Sequence, residues 1–287
     1  MKAIGVDVGG TKIKAGLVEG EKIVKKVEME TEAGKGRSKV VQNIIKAVEL
    51  LGDKKVKTIG VGIPGMLVHK TGEVLICPFI PSLEGHNLKK TLEKKLHKKV
   101  ILDNDVKTAT LAEAKYGAGK GYKHIVMITL GTGIGGGILS NGKFYRGKGN
   151  AGEIGHMSIN FDGIKSMCCK SYGCFQEYAS IRALQRNYGR QTNPKEIAYR
   201  AMNGDKKAKQ AYEEMGRAVG IGIVNITNLF DPEIIIIGGG IARSYDLFEK
   251  EMIKTAKERE MLSAKIAKAK LEEPGIIGAA LLTQGGK

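Results

Sequence analysis

The hydrophobic positions along this chain fall into two repeating patterns. Short apolar runs such as "AIGVDV", "TIGVGI", "KVILDND" and "EIIIIGGGI" predict buried strands, most of them ending at or beside glycine. Longer segments carry helical spacing. In "SKVVQNIIKAVELLG" the apolar residues Val40, Val41, Ile44, Ile45, Val48 and Leu51 share one helical face. Ser38 is the expected cap there and Gly52 the expected stop. "NLKKTLEKKLH" and "VKTATLAEAKYG" read as further helices, and "QAYEEMGRAVGIGIVNITNLF" as a long one stopped by Asp231-Pro232.

The order of these elements repeats. After "AIGVDV", the runs "KIKAGLVEG" and "KIVKKVEME" follow at hairpin spacing, which predicts an antiparallel meander. "HIVMITLGTGIGGGILSNGKFY" reads as strand, glycine turn and strand. Each half therefore starts with a strand hairpin around a glycine loop and continues as mixed helix and strand. The expected fold is a pseudo-duplicated α/β protein with a cleft between its halves. The boundary is expected near "AKYGAGKGYKH".

Composition narrows the function classes. The 287 residues include no Trp and few other aromatics, which argues against a carbohydrate platform or a base-stacking surface. The 40 glycines cluster beside apolar runs, which suggests tight backbone loops. No apolar run is long enough to span a membrane, and "MKAIGVDVGG" lacks the apolar region of a signal peptide. A cytoplasmic protein without membrane partners is expected. The net charge of +17 raises nucleic acid as a partner. The lysines, however, are interleaved with acids, as on a solvated surface, and a positive field also attracts an anionic nucleotide.

Three loops carry candidate chemistry: Asp7 to Lys12 ("DVGGTK"), Leu130 to Gly137 ("LGTGIGGG") and Ile237 to Ala242 ("IGGGIA"). Glycine at a strand end permits close backbone approach, and exposed N–H groups there form an anion-binding concavity. Thr11 and Thr132 add hydroxyls. Gly131, Gly133 and Gly136 match the spacing of a dinucleotide fingerprint, but that motif needs a following helix. "ILSNGKFY" follows instead, with a hairpin signal, so a Rossmann domain is excluded.

The ordered motifs resemble the ROK family, the sugar kinases and sugar-responsive repressors of the actin/hexokinase-like superfamily. The matching pieces are "DVGGTK", Gly62-Ile63-Pro64-Gly65, Asn104-Asp105, "LGTGIGGGI", "GEIGH" (Gly152 to His156) and "IIIIGGGIA". The resemblance implies two RNase H-like domains around a central cleft. The first would span 1–117, completed by a C-terminal helix over 274–287, and the second 118–273. It further implies an ATP-dependent kinase using Mg²⁺ that phosphorylates a hexose or N-acetylhexosamine, at the 6-OH. Asp105 would be the base that accepts the proton of the attacking hydroxyl. By its residue types alone, any member of "DND" also suits a helix N-cap. Gly65, Asn104, Glu153, His156 and Gln176 would bind the sugar. Asp7, Gly9, Gly10, Thr11, Lys12, Gly131, Thr132, Gly133, Gly238, Gly239 and Gly240 would hold nucleotide and phosphate, with Asp7 near Mg²⁺. Homodimers or homotetramers are common in the family.

The cysteines depart from the family pattern. A structural zinc in the family uses the "GEIGH" histidine and three cysteines in C-x-C-G-x-x-G-C-x-E. Here Cys169, Gly173 and Cys174 keep that spacing, whereas Cys168 falls one place late and Lys170 replaces a glycine. The implied ligands are His156, Cys168, Cys169 and Cys174, or three of them with water, or none. The family's sugar-binding Glu falls at Gln176, with Glu177 one place on. Val106 and Lys107 replace a small residue and an Asn. These changes leave open a polyol acceptor such as myo-inositol, or a donor other than ATP. A non-catalytic sugar-sensing regulator is disfavoured, because the first phosphate motif starts at Asp7 and leaves no room before it for a helix-turn-helix.

Overall fold

The computed structural model describes residues 2–53 and 55–285. In chain order it forms β1 (Lys2–Val8), β2 (Lys12–Glu19), β3 (Lys22–Glu30), α1 (Arg37–Leu51), β4 (Thr58–Ile63), β5 (Met66–Val68) and β6 (Glu73–Ile76). Next come α2 (Leu88–Leu96), β7 (Lys99–Asn104), α3 (Asp105–Tyr116), β8 (Ile125–Leu130), β9 (Ile134–Ser140) and the short β10 (Lys143–Phe144). The rest comprises α4 (Gln176–Ala179), α5 (Ile181–Tyr188), α6 (Pro194–Met202), α7 (Lys206–Phe230), β11 (Ile234–Gly238), α8 (Glu249–Lys257), β12 (Lys265–Lys268) and α9 (Pro274–Leu282). The last two residues of the C-terminal helix expected over 274–287 lie outside the described residues.

The chain forms two compact units. The first contains Met1–Gly121, Lys143–Ala151 and Lys270–Lys287. Its sheet runs β3-β2-β1-β4-β7. The meander β1-β2-β3 is antiparallel, as expected, and β4 and β7 continue it in parallel. Val40, Ile44, Ala47, Val48 and Leu51 of α1 pack with Val6, Val8, Ile59 and Val61 in one continuous core. Burying each of the Val, Ile and Leu side chains contributes about 1.5–3 kcal/mol, which holds α1 despite its lack of a side-chain cap.

Ser38 does not cap that helix. A 3₁₀ turn over Ala33–Lys35 enters α1 through Gly36 at φ 83°, so the helix is already running at Ser38. Gly52 does stop it, in the left-handed conformation at φ 73°.

The glycine excess has a use that its clustering did not suggest. Gly16, Gly5 and Gly60 are register partners on β2, β1 and β4. They form a row across the sheet over which α9 lies. A Cβ on Gly5 would meet the Ile276 carbonyl at 2.0 Å, and one on Gly60 the Ala279 carbonyl at 1.7 Å. The row therefore lets helix backbone approach sheet backbone directly.

The second unit contains Tyr122–Gly142 and Gly152–Ala269. Its strands include the order β9-β8-β11-β12, with β8-β9 antiparallel and β8-β11-β12 parallel. All of β11 is buried, as a parallel central strand requires. The long helix starts earlier than the apolar pattern suggested, at Lys206, because Asp205 accepts from the Ala208 N–H and caps it. It ends where expected, with Asp231 left-handed at φ 40°.

Candidate functional site

In the first unit, β1 delivers Asp7 to the end of the sheet. The next residues close a tight turn, in which the Gly9 N–H donates to the Lys12 carbonyl at 2.8 Å. The Thr31 hydroxyl donates to the Gly9 carbonyl at 2.6 Å and pins that turn from behind. Gly9 and Gly10 are partly exposed and Thr11 is exposed. The Lys12 ammonium pairs with Glu28. Burial, and next the Asp105 charge, push the Asp7 carboxyl up to about 7. The two carboxylates are thus electrostatic neighbours.

The "DND" ambiguity has a definite answer. Asn104 is the cap of α3: its side-chain oxygen accepts from the Val106 N–H at 2.9 Å and the Lys107 N–H at 3.1 Å. Its amide donates to the Gly65 carbonyl at 3.0 Å. Gly65 itself sits at φ 91°, where a side chain would be strained. Asp105 is the first helical residue, and one of its oxygens accepts from the Val106 N–H at 2.9 Å. Asp103 is buried and bound by Arg146, whose two terminal nitrogens reach its two oxygens at 3.1 and 2.6 Å. The buried Lys107 ammonium donates to the Gly149 carbonyl at 3.1 Å. Sequence reasoning missed Arg146 entirely. A carboxylate buried at the end of a strand demands a cation, but which of 47 lysines and arginines supplies it is a matter of topology.

In the second unit, two of the glycine loops come together. Gly131 and Gly133 close the β8-β9 turn, and Gly131 also accepts from the Ile181 N–H at the start of α5. Thr132 is exposed on that turn. Because β8 and β11 are neighbours, Gly238 pairs with Thr129, and the next residue lies beside Leu130. Gly239 has φ 87°, and a Cβ there would meet the Leu130 carbonyl at 2.4 Å. Gly239 and Gly240 are exposed. Both loops thus present backbone at the carboxyl ends of adjacent strands, the usual ligand position in an α/β sheet.

Glu153 precedes a 3₁₀ turn over Ile154–His156 and accepts from the His156 N–H through its carbonyl. His156, Cys169 and Cys174 offer three ligand atoms within 4.8 Å of one another. The two sulfurs are 3.6 Å apart. Thiolates on a tetrahedral zinc, with Zn–S of about 2.3 Å, stand about 3.8 Å apart, so this donor set fits the ion. Ser166, then the Ser171 backbone and His156, bring the Cys169 thiol down to about 6 through hydrogen bonds, while burial pushes the Cys174 thiol up. Cys168 is not in this cluster. Its sulfur accepts from the Gln176 amide and lies 3.9 Å from His156 Nδ1.

Gln176 is buried at the start of α4 and is thereby engaged with Cys168. Glu177 is buried too, accepting from the Ser166 hydroxyl at 3.3 Å and the Met167 N–H at 3.4 Å, with Arg182 at 3.8 Å. It is tied into its own loop.

The ROK family model matches residues 3–285, and the chain belongs to the ROK family. It is 33% identical over 307 residues to a glucokinase of Thermotoga maritima, covering 98% of this chain and 96% of that one. An N-acetyl-D-glucosamine kinase of Histophilus somni is 31% identical over 300 residues, covering 97% of each chain. Among solved structures, a ROK family glucokinase from Streptomyces griseus in complex with glucose and AMPPNP superimposes with a TM-score of 0.88 at 32% identity. That match covers 99% of this chain and 100% of the other. Among the described residues, no helix is long and apolar enough to cross a membrane.

Proposed function

We propose that this sugar phosphotransferase transfers the γ-phosphoryl group of ATP to a hexose hydroxyl, the 6-OH of glucose or of a related hexose or N-acetylhexosamine. The observation that carries the reading is the placement of Asn104 and Asp105. The pair starts α3, Asn104 is locked by its cap and by Gly65, and Asp105 is an electrostatic neighbour of Asp7.

Phosphoryl transfer needs a positioned hydroxyl, a nearby base and dispersed charge. Asp105 accepts the proton of the attacking hydroxyl as its oxygen bonds to the γ-phosphorus and the bond to the β-phosphate oxygen breaks, releasing ADP. Asn104 and the Gly65 backbone hold neighbouring hydroxyls, and Glu153 and His156 hold others. The N–H groups of Gly9 to Lys12, Gly131 to Gly133 and Gly238 to Gly240 supply donors to the phosphates. Mg²⁺ carried with ATP would neutralise phosphate charge, with Asp7 as the carboxylate near it. Zinc held by His156, Cys169 and Cys174 would fix the orientation of the histidine that grips the sugar.

One observation favours a wider acceptor range. Gln176, where the family has an acidic sugar ligand, donates its amide to Cys168. A site built to pair hydroxyls discriminates by the hydroxyls it leaves unpaired, so this change shifts the preferred pattern. A polyol such as myo-inositol therefore belongs in the test.

The test is ADP release with Mg·ATP against glucose, mannose, fructose, N-acetylglucosamine, N-acetylmannosamine and myo-inositol. Acceptor-dependent turnover that falls at least a hundredfold in Asp105→Asn supports the reading. Wild-type turnover in Asp105→Asn would sink the assignment of the base.

A further inference from the structure

The segment Lys143–Ala151 leaves the second unit's chain after Gly142, joins the first unit, and runs directly into Gly152 and Glu153. It is held in the first unit by hydrogen bonds to three elements. Arg146 binds Asp103 at the end of β7 through two bonds. Lys107, in the first turn of α3, donates to the Gly149 carbonyl. The Leu67 N–H of β5 donates to the Asn150 side chain at 3.3 Å.

These links close a circuit. Asn104 bonds Gly65, which lies two residues before Leu67. Leu67 bonds Asn150, and the adjacent Gly149 bonds Lys107, which is two residues after Asp105. The Arg146 carbonyl gathers the Gly149 N–H at 2.7 Å and the Ala151 N–H at 3.1 Å, so its guanidinium and carbonyl fix both sides of the segment. Among the described residues, the other ion-pair partner of Asp103 is the weaker His69. His69 is 3.8 Å away, and burial, then the Arg146 charge, hold its imidazole below the ordinary value. One Asp103 oxygen also accepts from the Asn104 N–H at 2.9 Å, which ties the ion pair to the residue that caps α3.

We infer that Lys143–Ala151 is a strap that sets acceptor recognition, with Arg146 and Lys107 as positioning residues that hold Asn104 and Asp105. The inference rests on the sugar-kinase reading. It adds a strap outside the residues assigned to the acceptor and the phosphates. Neither side chain is asked to touch the acceptor. A buried ammonium fastened to a backbone carbonyl acts through the loop it holds.

The test compares the wild type with Lys107→Met, Arg146→Lys and the double variant Asp103→Asn/Arg146→Met. The double variant removes both partners and so avoids leaving a buried charge unpaired, which would threaten folding. KM for the preferred acceptor is expected to rise at least tenfold in Lys107→Met and in the double variant. KM for Mg·ATP should stay within about twofold, and Arg146→Lys should restore part of the loss. Equal changes in both KM values, or none, would overturn the positioning role. Amide exchange at Gly149 and Ala151 is measured on the same proteins and should accelerate at least tenfold. Unchanged exchange would overturn the strap whatever the activity. A wild type that turns over no acceptor would overturn the kinase reading instead, and the strap would then stand or fall on the exchange result.

Discussion

The Asp7 carboxylate lies against the backbone of Gly275, so closely that a Cβ there would sit 2.4 Å from Oδ2. Gly275 belongs to the first turn of α9, which returns from the far end of the chain. A residue near the N-terminus is thereby positioned by one near the C-terminus. Gly275→Ala must displace either the helix or the carboxylate. Because Asp7 is assigned to the phosphate end, turnover should fall at least tenfold with the acceptor's KM changed less than threefold. Steady-state kinetics with both substrates varied would check this.

Asp7 also imposes a pH dependence on stability. Burial and Asp105 raise its folded-state value from 3.8 to about 7. Between those limits the folded protein holds a proton that the unfolded chain has released. Its contribution to stability is therefore greatest below about pH 4, declines as pH rises to about 7, and is flat above that. The change attributable to this group is at most about 4 kcal/mol. Asp7→Asn removes the charge and should make the protein more stable than wild type at pH 8, with no gain at pH 4. Denaturant melts in EDTA without nucleotide, at both pH values, would show it. Equal effects at the two pH values would refute the assignment.

The pattern of apolar positions revealed the strands, the long helices and the order of motifs, because those depend on neighbours in sequence. The β1-β2-β3 meander and the Asp231 stop are of this kind. What was hidden depends on neighbours in space. Gly5, Gly16 and Gly60 sit inside strands, where nothing local says that a helix over 200 residues away will lie on them. Asp103, Asn104 and Asp105 all suit the cap by residue type, and only the helix start at Asp105 selects Asn104. The Asp103–Arg146 pair joins residues separated in sequence by α3 and the β8-β9 hairpin. Ser38 does not cap α1 because the chain enters the helix through Gly36 at φ 83° with no side-chain cap.

The glycine row makes a sharp stability prediction. Gly60 faces the Ala279 carbonyl across less space than a methyl group needs. The obstructing atom is a backbone oxygen, and a Cβ is fixed to its own backbone, so no side-chain rotation relieves the contact. Gly60→Val should destabilise the first unit by at least about 3 kcal/mol, more than ordinary overpacking by a side chain. Gly142→Ala, with open space around the Cβ position but φ 69°, serves as the comparison and should cost about 1 kcal/mol. Urea unfolding of the two variants would separate close approach from backbone strain.

The cysteine loop makes the last prediction. The chain carries one more thiol near His156 than the cluster uses: Cys169 and Cys174 join the histidine, and Cys168 takes a hydrogen bond from Gln176 instead. If zinc is held by the clustered three, Cys169→Ser and Cys174→Ser should each abolish stoichiometric zinc, while Cys168→Ser should retain most of it. Metal analysis of the purified variants, with release followed by a colorimetric chelator, reads this directly. Loss of zinc in Cys168→Ser to the same degree would mean that the loop rearranges on metallation and that Cys168 becomes the fourth ligand. Gln176 would then be released from its sulfur, so the acceptor preference of the wild type should differ between zinc-loaded and zinc-stripped protein. Full zinc content in all three serine variants would place the ion elsewhere and leave the shortened spacing without a metal-binding role.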